Sequence, residues 1–214
     1  AAALYAATGT ADYCALAEAD AHHLHAYFAD GDRGGYFSNR TDEAGLLVNN
    51  RPVQDNAQPS ANAAALGLFA ELASMTGKGT WEAKAADGFH ALAGHLAQNY
   101  ASMTGLLLAH NARHYSLSII IIGDGAPAKQ LADAALAHPI FHRHIMLLPT
   151  HATPPQGHPA HGKQALDGTA TAYICPGQSC LPPITEAAAL SQALDALVVQ
   201  RQSDEANIKG VDND

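Results

Sequence analysis

Charge and aromatics are both scarce in this 214-residue sequence: Asp, Glu, Lys and Arg make up 14%, and Phe, Trp and Tyr only 6%. So few aromatics argue against an aromatic-rich β-sandwich. Basic residues number 11 against 20 acidic ones and nowhere cluster, which excludes a nucleic-acid groove built on a basic stripe. No apolar run approaches the roughly 20 residues that cross a bilayer. Cysteine occurs three times, at Cys14, Cys175 and Cys180, too seldom for a secreted disulfide scaffold. A cytoplasmic setting with reduced thiols is the expectation. The opening Ala1–Tyr5 has no initiator Met and no basic region, so it does not read as a signal peptide. It reads as the last turns of a helix already in progress, and the chain as a fragment or processed piece.

What is present is alanine-rich: apolar residues reach 48%, a composition suited to closely packed helices. Leu4–Thr8 reads as a helix end with Gly9 as its stop, followed by a helix over about 11–29. Tyr36–Ser38 and Leu46–Val48 are short apolar runs divided by turn formers, the pattern of a β-hairpin. Ser60 caps a helix that stops at Thr76-Gly77, and helices follow over about 81–101 and 103–114. A helix, a Thr-Gly turn and a longer helix thus occur twice, as in repeated αα-hairpins. The period changes at residue 117. The run Ile119–Ile122 ended by Gly123 reads as a buried parallel strand, with a helix over 126–136 and further strands over 145–148 and 170–175. A Pro/Gly/His-rich loop fills 151–168, and 186–199 forms the closing helix. The expected organisation is therefore mainly α: helical hairpins over 1–116, a small α/β appendage over 117–202, and a disordered acidic tail over 203–214.

Four segments, in order, resemble the spermatogenesis-associated-protein family of thioredoxin-domain proteins. They are Gly34-Gly35-Tyr36-Phe37, the Asp55-Asn56-Ala57-Gln58-Pro59-Ser60-Ala61-Asn62 stretch, the Ile119–Gly123 strand, and Ala172-Tyr173-Ile174-Cys175 with Cys180 and Pro182-Pro183. The match covers roughly residues 1–200; where the family has two glycines, this sequence has Asn56 and Ala61. The resemblance implies the hairpins of an incomplete (α/α)6 toroid similar to six-hairpin glycosidases and N-acylglucosamine 2-epimerases. It implies partners as well: missing N-terminal hairpins and a thioredoxin-like domain, or another copy of the chain. The domain carrying the family's redox cysteines is not in this sequence, so no redox role carries over. Under the resemblance the function is binding or isomerising a carbohydrate. The alternative is a non-catalytic assembly module of a redox-domain protein.

Read on their own chemistry, Asp55, Ser60 and Asn62 gather acceptors and donors beside the free N–H groups of a helix start. Such groups bind sugar hydroxyls or polarise a carbonyl; equally, they cap the helix and tie the loop. Tyr36, Phe37 and Arg51 would border the same pocket, Arg51 as a planar anchor for a carboxylate or phosphate. His110 and His114 share a helical face and, with Asp55, are the catalytic candidates, because imidazole suits proton transfer near neutrality. His22 and His25 also share a face, and His142 and His144 alternate near a strand. The ligand sets are incomplete, so neither a metal nor a cofactor is expected. Cys175 and Cys180 read as two packed thiols, with a disulfide or a shared metal as the other options. Gly123-Asp124-Gly125 lacks the third glycine of a phosphate-binding loop, since Ala128 stands there.

Overall fold

The structure, a computed structural model, describes residues 1–8, 10–140, 142–177 and 179–211, with 7, 8 and 201–211 described by backbone alone. Just over half of the chain is α-helical, and a three-stranded sheet completes it. The residues fall into two units. One comprises Ala1–Ser116 with Pro155–His161; the other comprises Leu117–Pro154 with Gly162–Asp214.

In the first unit, helices α1 (Ala2–Thr8), α2 (Ala11–Phe28), α3 (Ala61–Thr76), α4 (Gly79–Asn99) and α5 (Thr104–Tyr115) follow one another, with a 3₁₀ turn at Tyr100–Ser102. Gly9, expected to stop the first helix, lies outside the described residues. Helix α3 sits at the centre and packs against α5, α4 and α2. Its buried positions include Ala63, Ala65, Leu66, Phe69, Ala70, Leu72 and Met75, which leave it almost no wet face. Small residues allow this close packing: at Gly88 on α4, a Cβ would collide with the Leu66 side chain of α3. The core is completed by Trp81, Ala85, Phe89, Leu92, Met103 and Leu106.

Local chemistry sets the ends of α3. The Ser60 hydroxyl accepts from the Ala63 N–H at 3.1 Å, the expected N-cap. At the other end Gly77 takes the left-handed conformation at φ 69° and donates its N–H to Ala73 O at 2.9 Å. A Cβ there would also run into the Gly157 carbonyl, which is backbone and has no rotamer to yield. Gly77→Ala is therefore expected to lower the melting temperature of the helical unit. The left-handed backbone alone costs about 1–2 kcal/mol, and the displaced carbonyl adds to it. An unchanged melting curve would show that the turn relaxes freely.

The expected β-hairpin does not form. Around Tyr36–Ser38 and Leu46–Val48 the structure shows an isolated bridge from Ala29 to Tyr36 and a bond from Ser38 N–H to Asn50 O, but no strand. Asn49 turns its amide onto Asn39 O at 3.1 Å and accepts from Asn39 N–H at 3.3 Å, replacing ladder bonds with side-chain ones. A two-stranded ribbon without a third strand is marginal in any case. Leu47 is left wholly exposed and Val48 at 79%.

In the second unit the sheet order is β2–β1–β3, with β1 at Leu117–Ile122, β2 at Arg143–Leu148 and β3 at Thr171–Pro176. β1 and β2 run parallel across helix α6 (Gly125–Ala137), and β3 is antiparallel to β1. As the isoleucine run predicts, β1 is buried along its whole length. Leu117, Ile119 and Ile121 pack one face with Ile145, Ile174, Leu131 and Ala135, and with Leu190 and Leu194 of helix α7. Helix α7 spans Ala187–Val211, past the expected end at Val199 and through most of the segment read as a disordered tail. Residues 212–214 of that expected tail lie outside the described ones. No described helix is long and apolar enough to cross a membrane.

Candidate functional site

Asp55 sits just ahead of α3 and holds two helix starts together. Its Oδ1 accepts from Ser60 N–H at 2.9 Å; its Oδ2 accepts from Gly105 N–H at 2.6 Å and the Thr104 hydroxyl at 3.1 Å. Burial pushes the Asp55 carboxyl up, but these N–H and O–H donors outweigh it and hold it below its ordinary value. Seven residues on, Asn62 is fully buried and saturated. It accepts from Tyr36 N–H at 2.8 Å and donates to Tyr36 O at 2.9 Å and Pro52 O at 2.6 Å. One side chain thus pins the Gly34–Phe37 segment to the first turn of α3.

Arg51 joins the same framework. Its Nη1 donates to Gly34 O at 2.5 Å and Arg33 O at 3.1 Å, and stands 3.9 Å from the Asp30 carboxylate. Asp30 is buried and accepts from the N–H groups of Asp32 and Arg33, each at 3.1 Å, and from Arg33 Nε at 3.0 Å. Burial works against its charge, yet these partners leave its carboxyl below the ordinary value. The structure therefore brings Arg51, Asp55, Ser60, Asn62 and Tyr36 together in one loop-and-helix framework. Their polar atoms are spent mainly on backbone groups. Phe37, half-buried beside Tyr36, bonds through its N–H to Phe28 O at 2.8 Å.

A second arrangement begins at Tyr36 and was only half visible in the sequence. Its ring is buried, and its hydroxyl stands 3.0 Å from Nδ1 of His25 on α2. Ring neighbours continue from Tyr36 to Phe69 (5.5 Å), to Trp81 (5.7 Å, nearly parallel) and to His22 (4.6 Å). One turn before His22, Glu18 accepts from Trp81 Nε1 at 3.0 Å and pairs with Lys78 at 2.6 Å. Residues 18, 22 and 25 recur at four and three along α2, so they share one face. Burial pushes the Tyr36 phenol up to about 12, helped by the charge of Asp87. Burial, then the charges of Lys84 and His22, push the His25 imidazole down. Both groups are consequently neutral at pH 7, the imidazole with one donor and one acceptor nitrogen. The shared face of His22 and His25 was readable from spacing. The Tyr36 contact was not, because it depends on Asn62 folding residues 34–37 back.

His110 and His114 do lie side by side on α5, ring centroids 4.4 Å apart, with Phe89 edge-on to His110 at 5.3 Å. Burial first, then the charges of His114 and Arg113, lower His110 below its ordinary value. Arg113 is turned to Glu82 at 2.6 Å. Among the described residues no group of three His, Cys, Asp or Glu is placed to hold a metal ion. Cys175 and Cys180, expected as reduced thiols, are instead joined in a disulfide. The Pro-Gly turn folds the return segment back on β3, where Leu181 N–H donates to Ile174 O at 2.8 Å. That pairing brings the two sulfurs together.

No family model matches the chain. It is 27% identical to human spermatogenesis-associated protein 20 over 174 residues, which is 78% of this chain and 22% of that protein. The chain thus spans about a fifth of its relative's length. This similarity supports the family resemblance carried by the four motifs.

Proposed function

We propose that the helical unit is one part of a larger toroid and offers a carbohydrate-type site at His25 and Tyr36. The observation that carries the reading is the 3.0 Å contact between the Tyr36 hydroxyl and His25 Nδ1, braced from behind by Phe69 and Trp81. Sugars are neutral and rich in hydroxyls. They are met by uncharged groups that both donate and accept, held still by packing. A neutral imidazole beside a protonated phenol offers both functions and suits proton transfer at a sugar carbon. Asp55, Asn62, Ser60 and Arg51 serve this site by position: Asn62 fixes Tyr36, and Arg51 and Asp55 fix the loops on either side.

The further hairpins come from the rest of a longer protein. Leu16 on α2 (52% exposed), Leu108 on α5 (58%) and Leu47 are the surfaces they would cover. Titrating the chain with aldoses and N-acylhexosamines, followed by heat or by NMR shifts, tests the site. Binding is expected, weakened about five- to tenfold in Tyr36→Phe and His25→Ala, as loss of one hydrogen bond gives. A silent panel, or binding indifferent to both substitutions, removes the carbohydrate reading and leaves assembly as the unit's role.

A further inference from the structure

We propose that Cys175 and Cys180 form a thiol–disulfide exchange site in the α/β unit, attacked from solvent at Cys180 with Cys175 as the leaving thiol. The two sulfurs are bonded across five positions of sequence but stand in different surroundings. Cys175, on β3, is only 3% exposed, whereas Cys180, on the returning segment, is exposed. An incoming thiolate reaches the accessible sulfur, and access decides which sulfur is attacked. A buried bond stapling two core elements would offer neither sulfur.

The surroundings of Cys175 point the same way. The core against α6 and α7 takes Ile174 and Ala172, so Cys175 lies on the opposite face of the sheet. There it is in register with Ser118 of β1, which is in turn in register with His144 of β2. Cysteine, serine and histidine therefore form one row, one residue per strand, next to rows of Tyr173–Ile120–Met146 and Thr171–Ile122–Leu148. His144 is buried, and its Nδ1 has no hydrogen-bond partner among the described residues. A buried polar atom without a partner calls for an explanation beyond packing. Here the imidazole stands in the row to which Cys175 delivers charge when the disulfide opens.

The exchange balances with an external dithiol as reductant. Its first thiolate attacks Sγ of Cys180; the Cys175–Cys180 bond breaks, and its electron pair leaves on Cys175, which takes up a proton. The reductant's second thiolate attacks its own sulfur in the mixed disulfide, and Cys180 leaves and is protonated. The reductant departs as a disulfide, having given two electrons and two protons. Opening the bond also unpins the return segment, which lies along the outer edge of β3 through Leu181 N–H to Ile174 O and the paired bonds of Ala172 and Ile184.

The test uses the full chain carrying Cys14→Ser, so that only the pair reacts. Dithiothreitol is added to the native protein, and thiols are counted by acid-quenched alkylation and mass spectrometry while circular dichroism follows the fold. Two new thiols are expected with the helical signal intact. In separate variants exposed to glutathione disulfide, Cys175→Ser is expected to trap glutathione on Cys180 at least about tenfold faster than Cys180→Ser traps it on Cys175, since thiolate exposure governs the rate. A bond that resists reduction until the chain unfolds would overturn the proposal, and so would equal trapping at both cysteines. The first measurement needs no cysteine variant of the pair, so misfolding of either variant leaves the test decisive.

Discussion

Asn62→Leu is expected to destabilise the helical unit by about 3–5 kcal/mol, enough to unfold many domains of this size at ambient temperature. Leucine keeps the branched outline and is the better helix former, so the loss comes from the missing polar atoms, with the crowding of its bulkier methyl groups added. It strands two buried backbone groups, the Tyr36 N–H and the Tyr36 carbonyl, together with the half-buried Pro52 carbonyl. Each buried group left unpaired costs about 1–3 kcal/mol, and some of the loop will relax towards water. Asn62→Asp is an informative companion. An ionised carboxylate still accepts from Tyr36 N–H, but it meets the two carbonyls with a charge instead of a donor. Urea denaturation followed by helical circular dichroism measures both. A Leu variant with the wild-type midpoint would mean that Asn62 does not hold the loop, and its polar atoms would then be free for a ligand.

Acidification from pH 7.5 to 5 is expected to cost the α/β unit about 2 kcal/mol through His144 alone. Burial, reinforced by the charge of His142, pushes this imidazole down to about 4 in the folded state. The unfolded chain takes up the proton near pH 6.5. Between those two values the unfolded state binds more protons, so stability is complete above about 6.5 and falls steadily until about 4. Asp30 and Asp55 titrate under this window, because their folded carboxyls are held below the ordinary value. His25 and His110, which burial also holds down, add a loss of the same sign, but in the helical unit, so the melt of the α/β unit is the one to read. Comparing thermal melts of wild type and His144→Phe at the two pH values checks the assignment. The substitution should remove most of the pH dependence while keeping an aromatic in the slot. A wild-type unit equally stable at pH 5 and 7.5 would refute the burial of a neutral imidazole.

Much of the fold could be read from local chemistry. Ser60, Gly77 and the isoleucine run each encode a cap, a stop or a buried strand within a few residues, and the structure places them so. What depended on distant partners was harder. Leu46–Val48 has a strand's composition, but nothing in the sequence says whether a neighbouring edge will receive it, and none does. The motif around Asp55 was recognisable, yet its helix-capping and ligand-binding readings use the same atoms. Only the distances to Gly105, Thr104 and Tyr36 reveal what those atoms hold. The His25–Tyr36 pair joins residues eleven apart across the Asp30–Gly35 turn, where α2 has already ended, so no helical period predicts it.

The helical unit is discontinuous in sequence, for Pro155–His161 belongs with Ala1–Ser116 although the first two strands of the sheet precede it. A polypeptide trimmed after Ser116 would therefore lose Gly157, whose carbonyl closes over the left-handed turn at Gly77. The two units cannot be parted by a single cut, and swapping or grafting either one requires carrying a second, separate stretch of chain.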